Sequence, residues 1–233
     1  MSDNKGINSS KKNRWVLFFT GIYLFLYLKR PFKKYDIIVS GKNVPEKYYK
    51  FRYWIYCKID KLIDKADTYS DEERDRYDDV SVHIFALNKE DEVIGTVRLI
   101  KYTNLGLPTI KEFNLEDRLE KVPRDKVMEI SRFMVHPDYR KSMLFIDLCK
   151  AVFLVSKEQN IDFWTGCAES WFINGLERLY GEVEIISEPK FCFNAMNYPF
   201  FIEIDKIEKI FRNSDPLAYH FFINKPRNFK YEL

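Results

Sequence analysis

Nothing in this sequence pairs its cysteines. Cys57, Cys149, Cys167 and Cys192 lie far apart with no CxxC spacing, each in an apolar or strand-like stretch. That argues against a disulfide framework and leads us to expect free, buried thiols in a reducing compartment. Histidine is equally scarce: His83, His136 and His220 show no HExxH-like spacing, so no metal site is expected. An excess of one charge is lacking too. Lys and Arg total 38 against 35 Asp and Glu, a formal net charge of +3. With no concentrated basic stripe, a nucleic-acid partner is not expected. Finally, no apolar run has the length of a bilayer span. The run Trp15–Leu28 would cover roughly 21 Å as a helix, against a hydrocarbon core of about 30 Å.

What is present is aromatic. Phe and Tyr number 20 and 15, and aromatics make up 17% of the 233 residues, enough for a large core or an aromatic-lined channel. With no internal repeat and no break in composition, the chain reads as one full-sized domain, residues 35–233, preceded by an arm, residues 1–34. The arm begins with a polar Ser/Lys/Asn-rich tail, Met1–Asn13, expected to be disordered. Trp15–Leu28 is flanked by Lys11, Lys12, Arg14, Lys29, Arg30, Lys33 and Lys34. Lys-Arg-Pro-Phe follows it where a secretory signal would have small residues. Two readings stay open for this stretch: a helix lying in a membrane interface, or one docked on the domain. The expected location is cytoplasmic, on the inner face of the membrane under the first reading.

Along the domain, Tyr48–Lys65 has helical spacing of Phe51, Trp54, Ile55, Ile59, Leu62 and Ile63. An acidic run, Glu72–Asp79, leads into a strand over Val80–Leu87. Asn88–Glu92 is a hairpin turn, and Val93–Ile100 is the returning strand. Tyr102–Lys126 reads as a long irregular link. After the central stretch come a helix over Arg140–Lys157 and a strand over Ile161–Cys167. A helix over Ser170–Tyr180 follows, with Gly181 as its C-cap. Val183–Ile186, Phe191–Phe193 and Phe200–Ile204 read as strands and Asp205–Arg212 as a short helix.

The stretch that organises the domain is Glu129–Arg140. Strand alternation puts Ile130, Arg132 and Met134 on one side and Glu129, Ser131, Phe133 and Val135 on the other. Three polar residues packed into a strand need partners. A His-Pro-Asp turn ends that strand before the helix. A polar cluster at a strand end, then a turn and a helix, describes a ligand-binding edge; the alternative is a single structural ion pair.

Strand–turn–strand, a strand with a helix after it, then strand–helix–strand is the order of the GNAT acyltransferase fold. Within it, Arg52 stands in an Arg-Tyr-x-x-Tyr helix, and Asp75–Arg–Tyr–Asp78 runs into a strand. Gly95–Thr–Val–Arg98–Leu and Glu129–Ile–Ser–Arg132–Phe follow. Over about residues 45 to 200 this set resembles acyl-homoserine lactone synthases and the related long-chain N-acyl amino acid synthases. The chain departs from that pattern twice. The lactone synthases' tryptophan between the Arg helix and the acidic pair has no clear counterpart. Arg140–Lys–Ser–Met–Leu144, where acetyl-CoA-dependent members carry a glycine-rich pyrophosphate loop, holds no glycine. Met143 and Leu144 obstruct the close backbone approach a pyrophosphate needs, whereas the single phosphate of an acyl carrier protein makes no such demand.

The resemblance implies an α/β fold with a central mixed sheet flanked by helices. It implies a fatty acyl donor on acyl carrier protein, a small amine acceptor and no cofactor beyond the acyl-carrier or acyl-CoA substrate. Glu129 is placed to take the amine proton as general base, with Ser131 orienting the amine or a water. Burial near Phe133 would raise the pKa of Glu129, while Arg98 or Arg132 would lower it. The resemblance puts the carbonyl-polarising N–H near Met134 and Val135. Arg52, Arg98 and Arg132 either bind the acceptor carboxylate or order the Asp75/Asp78 loop; a purely structural ion network is the alternative. Arg140 and Lys141 suit the pantetheine phosphate or an acidic carrier surface. By the resemblance alone, Tyr180 falls where many GNAT enzymes keep a tyrosine that protonates the leaving thiolate. Two other functions compete: a catalytically idle GNAT-like module that binds membrane or carrier, and an ordinary acetyl-CoA-dependent N-acetyltransferase.

Overall fold

The computed structural model describes residues 35–63, 71–140, 142–225 and 228–232; the Met1–Asn13 tail, the Trp15–Leu28 stretch and Lys141 lie outside them. Among the described residues no helix is long and apolar enough to cross a membrane. The elements in order are β1 (Tyr35–Ser40), α1 (Glu46–Tyr53), β2 (Ser81–Asn88), β3 (Val93–Lys101), α2 (Pro108–Glu112), α3 (Glu116–Leu119) and β4 (Val127–Val135). Then come α4 (Leu144–Glu158), β5 (Phe163–Ala168), α5 (Ser170–Tyr180), β6 (Glu184–Ile185), β7 (Lys190–Cys192) and β8 (Ala195–Glu203). The chain closes with α6 (Ile204–Ser214), α7 (Pro216–Ile223) and β9 (Phe229–Glu232).

These strands form one mixed sheet in the order β6–β8–β5–β4–β3–β2–β1–β9, with β7 paired to β8. The β4–β5 and β1–β9 pairs are parallel. β3 is buried along all but its last residue, because helices cover both faces of the sheet there. The β2–β3 hairpin is closed by Asn88, whose Oδ1 accepts from the N–H groups of Glu90 and Glu92 (3.1 and 2.8 Å). On one face α4 lays Leu144, Leu148 and Val152 into the main core. It passes so near β3 that a Cβ on Gly95 would stand 3.1 Å from both Leu144 and Leu148. The same core takes in α5, α6 and α7 through Tyr180, Phe211 and Phe222. On the other face α1 packs Tyr48, Tyr49 and Phe51 against Ile38, Phe85, Val93 and Met134.

Three expectations change. The link Tyr102–Lys126 carries α2, α3 and a 3-10 turn at Arg124–Lys126, with Pro108 at the first position of α2, where a missing N–H costs nothing. The helix after the His-Pro-Asp turn starts at Leu144 rather than Arg140, because Pro137–Tyr139 forms a separate 3-10 turn. The helix expected to run to Lys65 is α-helical only to Tyr53 and continues as a π-helix over Trp54–Ile59.

Candidate active site

β4 departs from regular alternation at one residue. Thr96 pairs with Met134 and Arg98 with Ser131, so Arg132 and Phe133 together oppose Val97 alone. Arg132 takes φ +51°, the two-against-one geometry of a β-bulge. Beyond it the faces exchange. Met134 joins Glu129 and Ser131 on the α1 side, while Phe133 and Val135 turn to the side of Ile130. The expected grouping of Phe133 with Glu129 is therefore corrected. Phe133 stacks half-buried with Phe145 and Phe172, at 5.1 and 5.3 Å between ring centres, across the sheet from the carboxylate.

The bulge lets Arg132 reach its own neighbours. Arg132 donates to Glu73 (2.7 Å) and Asp75 (3.0 Å). Arg98 donates to Asp75 (2.6 Å) and Asp78 (2.8 Å). Arg52 donates to Asp78 (2.6 Å) and Glu73 (2.5 Å). Three guanidinium groups and three carboxylates thus alternate around a closed ring of zero net charge. Such a ring is tolerable in a buried site only because each ion has two partners of opposite sign. Burial would raise the acids, but Arg132 and Arg52 hold Glu73 below the usual carboxylate range. Burial likewise loses to Arg52 and Arg98 at Asp78, which is pulled well down. His83 backs the ring with Nε2 3.0 Å from Asp78 O and Nδ1 3.1 Å from the Tyr48 hydroxyl. Burial lowers its pKa to about 4, so it is neutral.

Arg52 and Arg98 are both turned to the acidic loop, Arg52 onto Asp78 and Arg98 onto Asp75 and Asp78. Both are fully buried, and the Nε of Arg98 donates to Ser131 Oγ (3.0 Å). The open edge of the ring is Asp75 and Arg132, with side chains 27% and 13% exposed. Among the described residues, Arg132 Nη1 makes no hydrogen bond.

Glu129 lies on the same face, at the last residue of β4 that pairs with β5. The parallel register runs from Val127–Phe163 to Glu129–Thr165 and stops, so the two strands part beyond it. Gly166 is forced at this point: a Cβ there would stand 2.7 Å from Ile130 O and 2.9 Å from Phe200 Cζ. Glu129 is 3% exposed, and its carboxylate accepts from the N–H and the hydroxyl of Thr109, both at 2.9 Å. Burial pushes its pKa up to about 7, against the pull of the Thr109 hydrogen bonds.

The opening between β4 and β5 also leaves β4 with free backbone. His136 N–H donates to Ile94 O on β3 (2.9 Å), so alternation turns the Val135 N–H to the other edge, into the gap. Met134 N–H faces β3. Arg140 borders the gap but is already engaged, with Nε on Val135 O (3.2 Å) and Nη2 on both Asp60 oxygens (2.8 and 2.9 Å).

Tyr180 is not brought to this site. It is 2% exposed and packs against Trp164, Phe211 and Phe222. Its hydroxyl lies 3.4 Å from Cys149 O. The leaving-group role is therefore withdrawn: a tyrosine one residue before a C-cap glycine, here Gly181 at φ +87°, serves the core. The thiols are also corrected in part. Cys57 and Cys149 are buried, but Cys167 and Cys192 are partly exposed. The sequence reading missed Glu73, Thr109 and Gly166. Glu73 was hidden in an acidic run, and Thr109 in a segment read as structureless.

The family description "acetyltransferase (GNAT) domain" matches residues 51–150. Over 104 residues the chain is 28% identical to an L-ornithine N(alpha)-acyltransferase of Agrobacterium fabrum (strain C58 / ATCC 33970), covering 40% of this chain and 36% of that protein. The chain thus spans little more than a third of the length of that relative. Among solved structures, BjaI, a CoA-dependent acyl-homoserine lactone synthase, superposes with a TM-score of 0.63 at 21% identity, covering 85% of this chain and 93% of its own. FeeM, an N-acyl amino acid synthase from uncultured soil microbes, gives a TM-score of 0.57 at 14% identity, over 75% and 94%. The mixed sheet, the parallel β4–β5 pair that parts after Glu129 and these likenesses identify the architecture: the chain has the GNAT acyltransferase fold, in the form shared with acyl-homoserine lactone and N-acyl amino acid synthases.

Proposed function

We propose that the protein is an N-acyltransferase that moves a fatty acyl group from a thioester to the amine of an amino acid or a related small acceptor. The observation that carries this reading is Glu129, a buried carboxyl with a pKa of about 7 beside an opening in the sheet. A general base is most effective when its pKa lies near the working pH. As the amine attacks the thioester carbonyl, Glu129 takes its proton. The Val135 N–H, turned into the gap, stabilises the charge that develops on the carbonyl oxygen, and the thiolate leaves.

The open edge of the ring favours an acceptor that carries both charges. Asp75 can receive an ammonium group, and the unspent Nη1 of Arg132 can bind a carboxylate. A neutral ring gives no gain to an acceptor of one sign only. The relative from Agrobacterium fabrum, named for an amino acid acceptor, supports this choice. On the opposite face the Phe133, Phe145 and Phe172 rings offer an apolar wall for an acyl chain. The glycine-free turn after β4 favours acyl carrier protein over CoA as donor.

The test uses the purified full chain, with acetyl, short and long acyl groups on both CoA and acyl carrier protein. Ornithine, other amino acids and S-adenosylmethionine serve as acceptors, with products read by mass spectrometry. Long acyl-carrier thioesters and an amino acid should give the highest kcat/KM. Comparable turnover of acetyl-CoA would return the chain to the ordinary acetyltransferases, and no product from any pair would make it a binding module.

A further inference from the structure

Beside the glutamate lies a thiol pair that the transfer chemistry does not use. Thr165 pairs with Glu129 across the parallel register, so alternation along β5 sends Cys167 to the face of Glu129, just past the point where the strands part. Cys192 ends β7, in the hairpin whose turn residues Phe193 and Asn194 both take positive φ (51° and 52°). Asn197 Nδ2 pins that hairpin by donating to Cys192 O (2.7 Å) and Ala195 O (3.2 Å). Lys190 Nζ ties it to α2 by donating to Glu112 O (3.0 Å), three residues beyond Thr109. The fold thus gathers β5, the β7–β8 hairpin and α2 around one spot. There the side chains of Cys167 and Cys192 come together, and Cys167 also adjoins Thr109.

We propose that Cys167 and Cys192 are a redox pair that closes to a disulfide under a hydroperoxide and, by taking Cys167 from Thr109, slows proton transfer at Glu129. The neighbouring Cys167 holds the Cys192 thiol below the usual cysteine range despite its partial burial, while Cys192 and burial push Cys167 up. Cys192 is then the attacking thiolate. Its Sγ takes one oxygen of the peroxide as the O–O bond breaks, and the departing hydroxide is protonated to water, giving a sulfenic acid. The Cys167 sulfur attacks that sulfur, the S–S bond forms and the S–O bond breaks. Release of a second water takes up the Cys167 proton. Two electrons have passed from the two thiols to one hydroperoxide, and a dithiol reverses the step.

The activity arm rests on the acyltransferase reading; the covalent arm does not. The full chain is treated with limiting hydrogen peroxide, alkylated and mapped without reduction, and acyl transfer is measured before and after. The expected result is a Cys167–Cys192 linked peptide, with Cys57 and Cys149 still alkylated once unfolded. Turnover should fall by about tenfold or more, as displaced catalytic groups do, and dithiothreitol should restore it. Cys192→Ser should transfer normally when reduced and resist peroxide. Absence of the link, a link with unchanged turnover, or equal inactivation of Cys192→Ser would each overturn the proposal. Reduced protein that transfers no acyl group would count against the proposed function alone, and the peptide map would still decide the pair.

Discussion

Two opposed pulls set the proton affinity of Glu129. Burial raises it, and the Thr109 N–H and hydroxyl lower it, with the balance at about 7. Glu129→Gln keeps the shape and both Thr109 contacts but cannot take a proton. Acyl transfer should drop by on the order of 10²–10⁴, and the limb of the pH–rate profile near 7 should vanish; activity within about threefold of wild type would end the general-base role. The same carboxyl affects stability. Its ordinary pKa is 4.5, so between 4.5 and about 7 the folded chain holds a proton that the unfolded chain has lost. Stability therefore falls as pH rises through that window, by on the order of 3 kcal/mol. Glu129→Gln should melt above wild type at pH 8 and level with it near pH 4. Thr109→Val removes only the hydroxyl, so the limb should move above pH 7 with the fold intact. A limb that stays in place would mean that the Thr109 hydroxyl does not tune the base.

At the scale of elements, β4 shows how far the residues could be read. Alternation held from Glu129 to Ser131 and failed at Arg132, because the bulge is not a local preference. A non-glycine residue at φ +51° costs energy, and it is held there by Glu73 and Asp75, distant in sequence. Arg52, Asp78 and Arg98 were legible as a set. Glu73 was not: its neighbour Glu72, identical in type, pairs with the exposed Arg74 instead. Two variants probe this element. Arg52→Met leaves Glu73 and Asp78 buried with a partner missing, which should cost about 3–5 kcal/mol in denaturant melts; a loss under 1 kcal/mol would mean that the ring is not a structural unit. Gly166→Ala puts a methyl against the Ile130 carbonyl, which backbone cannot yield cheaply. It should lower both the melting temperature and acyl transfer, whereas Gly175→Ala, with open space around it, should change neither.

For the whole molecule, β2, β3, β4, α4, β5, α5, β6, β7, β8 and α6 were readable in order because each is a local pattern of period 2 or 3.6, whereas α2 and α3, single short turns of helix inside the Tyr102–Lys126 link, were not. β1 and β9 were not, because their pairing joins the two ends of the domain, Ile37 with Phe229 through Ser40 with Glu232, and such short strands carry little local signal. The sheet these strands complete has two unlike sides at the β4–β5 opening. Charges gather on the side of Glu129 and aromatic rings on the side of Phe133. Under the proposed function the acceptor approaches from the first side and the acyl chain lies along the second. Phe172, half-buried at the start of α5 and 5.9 Å from Phe145 between ring centres, would then limit chain length. Phe172→Ala should shift the preferred donor to longer chains. Each extra methylene buried is worth about 0.8 kcal/mol, roughly fourfold in kcat/KM. Competition between acyl donors of graded length, read from the product ratios, measures the shift. An unchanged ratio in a variant that melts cooperatively would place the acyl chain elsewhere.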